Sequence, residues 1–116
     1  MKTINHWIDG KPSERTPERT GDVFNPATGE VQANVAFASP AQVDEAVESA
    51  WHAAQSWREA SIAKRTKIMF AFRQLVDKHQ SELAKLLTLE HGKVTADAMG
   101  EVARGLEVIE FACGIA

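Results

Sequence analysis

Asn25-Pro26-Ala27-Thr28-Gly29-Glu30, Val31 to Phe37, and Ser39-Pro40-Ala41-Gln42 lie one after another, and the pattern changes from extended to helical across them. Asn25-Pro26 with Thr28-Gly29 predicts a turn, because proline fixes φ and glycine accepts the turn's last residue. Val31, Ala33, Val35 and Phe37 then alternate with Gln32, Asn34 and Ala36. That period of two predicts a half-buried strand with the first set turned inward. Ser39-Pro40-Ala41-Gln42 supplies an N-cap hydroxyl, a proline at the first helical position and a glutamine able to reach back to the cap amide. A helix therefore starts at this point.

Upstream, residues 4 to 37 carry the extended character. His6-Trp7-Ile8 is short and apolar, and Asp9-Gly10 tolerates the positive φ values of a hairpin bend. Residues 12 to 22 lack periodicity and predict an exposed loop, after which Val23-Phe24 resumes as strand. Three short strands are expected. Downstream, Val43, Ala46, Val47, Ala50, Trp51, Ala54 and Trp57 follow helical spacing and form one apolar stripe. Ser61 predicts the cap of a second helix with Ile68, Met69, Phe72, Leu75 and Val76 inward. Ser81 predicts the cap of a third, with Leu83, Leu86 and Leu87 inward and Gly92 stopping it in the left-handed conformation. A fourth begins near Thr95 and carries Met99, Val102, Ala103, Leu106, Ile109, Ala112 and Cys113 on one face. Gly114-Ile115-Ala116 offers that helix only a weak stop, without a basic last turn, so the chain reads as cut from something longer. Gly100 and Gly105 inside the same helix either weaken an exposed helix or mark a close neighbour.

The 116 residues fit one domain, able to bury roughly two thirds of the surface of the unfolded chain. A net charge of −3, with basic and acidic residues interspersed, gives no basic stripe for a phosphate backbone, so nucleic acid is not an expected partner. No run reaches the ~18 apolar residues of a membrane span. One cysteine excludes an internal disulfide, and Met1-Lys2-Thr3-Ile4 leads into polar sequence without a secretory core; the cytoplasm is the expected compartment.

The residues that bear chemistry read as structural. Cys113 sits on an apolar stripe with no histidine or helix N-terminus nearby in sequence, and is taken as a packing residue. His6, His52, His79 and His91 never occur at the i, i+4 spacing that puts two imidazoles on one helical face, so no metal site is expected. His91 before Gly92 reads as a helix C-terminal residue facing the dipole. Glu90-His91-Gly92-Lys93 lacks the remaining residues of a phosphate-cradling loop, and neither Gly100 nor Gly105 follows a strand as a dinucleotide turn requires. Glu107 and Glu110, and likewise Asp44, Glu45 and Glu48, read as solvated faces. Catalytic, cofactor-binding and metal-binding residues are therefore all expected to be none.

Taken together, Trp7-Ile8-Asp9-Gly10-Lys11, Val23 to Val31, the stripe ending at Trp57 and Leu89-Glu90-His91-Gly92-Lys93 resemble the aldehyde dehydrogenase superfamily along the whole chain. Gly105 to Cys113 looks like the methylmalonate-semialdehyde dehydrogenase branch. The resemblance implies an α+β fragment: a β-hairpin and short strands over 1–38, then four amphipathic helices over 39–116, forming the outer layer of the NAD-binding domain of an α/β fold. The catalytic domain is expected to lie outside the chain.

For the parent enzyme the resemblance implies an oxidoreductase of valine catabolism. It would convert methylmalonate or malonate semialdehyde, with NAD and coenzyme A, to propionyl- or acetyl-coenzyme A and carbon dioxide. It implies a homotetramer whose remaining chain is this segment's partner, and a fragment that is inactive and able to self-associate. Some members bind a monovalent cation at positions matching Val23, Phe24 and Glu101. The alternatives are another aldehyde dehydrogenase subfamily or a stand-alone helical interaction module without activity.

Overall fold

The computed structural model describes residues 1–115. Five strands come first: β1 (Lys2–Ile4), β2 (Trp7–Ile8), β3 (Lys11–Pro12), β4 (Arg19–Phe24) and β5 (Val31–Phe37). Four helices follow: α1 (Pro40–Arg58), α2 (Ile62–Lys78), α3 (Gln80–His91) and α4 (Thr95–Cys113). They group into two compact units, Met1–Glu59 and Ala60–Ala116, with α1 in the same unit as the strands.

In the first unit β5 is the centre of a three-stranded sheet ordered β1-β5-β4, parallel to β1 and antiparallel to β4. β2 and β3 form a separate hairpin, Trp7 opposite Pro12 and Ile8 opposite Lys11. Asp9 (φ 55°) and Gly10 (φ 72°) turn it, both in the left-handed region that a two-residue hairpin loop demands. The second turn closes as its residues require: Gly29 N donates to Asn25 O at 2.8 Å and Ala27 N to the Asn25 side chain at 2.9 Å.

Strand content exceeds the sequence expectation. β1 and β3 are additional, and β4 begins at Arg19, inside the stretch read as loop. Pairing with β5 supplies the backbone hydrogen bonds that residues 19 to 22 show no local sign of needing. Gly21 has a packing reason, since a Cβ there would stand 2.5 Å from Phe37 Cζ. The Phe37 ring thus occupies the space over Gly21 and remains 46% exposed, instead of turning inward. Ala33 and Ala36 are the buried residues of β5. A central strand with neighbours on both edges and both faces partly covered does not keep a strict alternation.

α1 starts as written. Gln42 N donates to Ser39 Oγ at 3.3 Å and Ser39 N to Gln42 Oε1 at 2.9 Å, a reciprocal capping box with Pro40 in the first turn. Its apolar stripe is mostly exposed, with only Ala46 half-buried. In the second unit Ser61 caps α2 through Lys64 N at 3.2 Å. The shielded side of α2 carries Thr66, Met69, Arg73 and Val76, while Ile68, Phe72 and Leu75 of the expected inward face are exposed.

α3 begins one residue before Ser81, with His79 as its N-cap. His79 is also the C-cap of α2, and its amide donates to Leu75 O and Val76 O while its carbonyl accepts from Leu83 N. One residue ends one helix and begins the next, leaving Ser81 inside α3. The inward side of α3 is Ala84, Leu87 and Thr88, with Leu83 and Leu86 turned out. Gly92 (φ 82°) ends α3 in the left-handed conformation, its amide donating to Thr88 O.

α4 packs against both α2 and α3. Its expected face is the face observed: Leu106 and Cys113 are buried and Met99, Val102, Ala103, Ile109 and Ala112 half-buried, with Ala98 added at full burial. Gly114 follows as a C-cap with no basic residue in the last turn; Ala116 lies outside the described residues.

Candidate functional site

Cross-element ion pairs hold the chemistry-bearing side chains in place. In the second unit Arg73 of α2 donates from Nε (3.0 Å) and Nη2 (2.7 Å) to Glu110 Oε1 of α4, and from Nη1 to Asp77 Oδ2 one turn along α2 (3.0 Å). The hydrogen bond to Glu110, with the charges of both carboxylates, raises the guanidinium above its already high value. Glu110 thus pairs across two helices while its side chain stays 47% exposed, so the solvated acid read from the sequence also carries an ion pair. Glu45, read the same way, pairs with Arg15 in the first unit. Neither partnership leaves a local signal, because Arg73 and Glu110 are 37 residues apart and Arg15 and Glu45 are 30 apart.

Lys93, in the link after α3, pairs with Glu101 of α4. That hydrogen bond, opposed by partial desolvation and assisted by the positive charges of Lys93, His91 and Arg104, holds the Glu101 carboxyl below its ordinary value. Lys93, Ala96, Asp97, Gly100, Glu101 and Arg104 line an open hollow of about 400 Å³. In the first unit an open groove of about 440 Å³ runs between the hairpin and α1, walled by Trp7, Ile8, Val43 and Val47 with Ala46 and Ala50 along α1. His6 Nε2 is buried without a hydrogen-bond partner in that unit, and Thr88 Oγ1 likewise in the other.

Cys113 is buried on the inward face of α4, where a thiol is a small apolar filler. His91 lies in the last turn of α3, His52 stands beside Glu48 on α1 (3.7 Å), and His79 Nδ1 lies 3.1 Å from Glu82. Among the described residues, no three His, Cys, Asp or Glu side chains lie close enough together to hold a metal ion. Val23 is half-buried in β4 opposite Ala33, Phe24 is exposed at the strand's end, and Glu101 is engaged by Lys93.

A pyrophosphate cradle needs a strand, a glycine turn and a helix N-terminus with free amides. The one strand-to-helix junction among the described residues, β5 to α1, has no glycine. Its first helical residue is a proline, and its cap is already engaged by Ser39 and Gln42. That junction therefore lacks the glycine turn and free helix amides of such a cradle. Among the described residues, no helix is long and apolar enough to cross a membrane.

Comparison with known proteins fits a geometry that is well marked structurally and poor in reactive groups. The chain is 47% identical over 114 residues to malonate-semialdehyde dehydrogenase 2 of Oceanobacillus iheyensis, covering 98% of this chain and 24% of the relative. A protein of Sinorhizobium meliloti 1021, described as a methylmalonate-semialdehyde dehydrogenase and complexed with NAD, superposes with a TM-score of 0.93 at 46% identity, over 99% of this chain and 23% of that one. The methylmalonate-semialdehyde dehydrogenase of Oceanimonas doudoroffii gives a TM-score of 0.94 at 43% identity, over 98% and 23%. The chain thus spans about a quarter of the length of the relatives it matches. The sequence pattern of the aldehyde dehydrogenase family matches residues 13–116, and the chain belongs to that family.

Proposed function

We propose that this chain is the N-terminal structural layer of the NAD-binding domain of a coenzyme A-acylating malonate- or methylmalonate-semialdehyde dehydrogenase, a tetramer of the cytoplasm acting in valine catabolism. Its strands and hairpin (1–38) and its helices (39–116) serve as scaffold, and the catalytic domain belongs to other sequence. The overall reaction converts semialdehyde, coenzyme A and NAD to acetyl- or propionyl-coenzyme A, carbon dioxide and NADH, NAD accepting the aldehyde hydride and coenzyme A the acyl group. No residue of this chain is assigned a catalytic, cofactor-binding or metal-binding role.

The observation that carries the reading is the near-half identity, over almost the entire chain, to a malonate-semialdehyde dehydrogenase four times as long. The uncovered side chains agree with it, because Val43, Val47, Trp51 and Trp57 present an apolar stripe that a self-contained domain would have covered.

The test is to replace the matching quarter of the Oceanobacillus iheyensis relative with this chain and follow NADH formation with malonate semialdehyde, NAD and coenzyme A. The chimera should turn over in a coenzyme A-dependent manner, and the isolated chain should give no more NADH than its Cys113→Ala variant. A soluble, folded chimera without activity, or turnover by the isolated chain, would defeat the proposal.

A further inference from the structure

We draw no further inference here: the strongest candidate, the open groove between the β2–β3 hairpin and α1 lined by His6, whose buried Nε2 has no hydrogen-bond partner, and by the exposed Trp7, Val43 and Val47, carries nothing because nothing in the structure shows what covers it.

Discussion

α1 and α4 are each 19 residues long and each carries a continuous apolar stripe, yet only one stripe is covered. On α4, Ala98, Leu106 and Cys113 are buried against a unit that includes α2 and α3. On α1, Val43, Val47, Trp51 and Trp57 remain 46–63% exposed. Helical periodicity states that a face will be covered, but not by what, and the sequence distance to the cover is invisible in the pattern. α4 finds its cover nearby in the chain, whereas α1 has its stripe without one. The contrast separates a stripe that stabilises this polypeptide from one that its own residues leave exposed.

Substitutions should divide along the same line. Leu106→Ala removes a buried side chain from α4 and should destabilise the second unit by about 2–5 kcal/mol in urea unfolding followed by circular dichroism. A value below about 1 kcal/mol would mean that the α4 stripe is no better covered than that of α1. Ala98→Leu, which forces volume into a fully buried position, should cost about 1–3 kcal/mol, with the second unit losing cooperativity first. Ser39→Ala breaks the α1 capping box and should cost about 1 kcal/mol, with Ser39→Asp retaining most of the stability.

Trp51→Ser should change the unfolding free energy of the isolated chain by no more than about 0.5 kcal/mol while reducing its self-association in sedimentation. The smallest effect is electrostatic. Because the folded Glu101 carboxyl titrates below its ordinary value, its stabilising contribution is complete above that value and is lost as pH falls through the lower, folded one. Lys93→Met should remove that acid-limb dependence, which a pH series of thermal midpoints would show.

Features encoded by adjacent residues were legible in the sequence. Ser39-Pro40-Ala41-Gln42 specifies its own capping box, Asp9-Gly10 its own bend and Gly92 its own helix stop. The α4 face is readable because seven residues repeat the same spacing, and the family is readable because those local motifs keep their order. What escaped depends on partners far along the chain. β4 is a strand from Arg19 because β5 pairs with it, and Phe37 stays outward because Gly21 leaves room for its ring. Glu110 has a partner only because α2 and α4 pack together.

The single-residue junction at His79 has a further consequence. With no slack between α2 and α3, the azimuth of α3 is geared to that of α2. One inserted residue continuing the helical path would turn everything downstream by about 100° around the axis. Ala84 would then swing away from its enclosed position and a bulkier neighbour would take its place. Length variation should therefore be tolerated elsewhere before it is tolerated there, and a one-residue insertion after His79 should be more damaging than most single substitutions in the same helix.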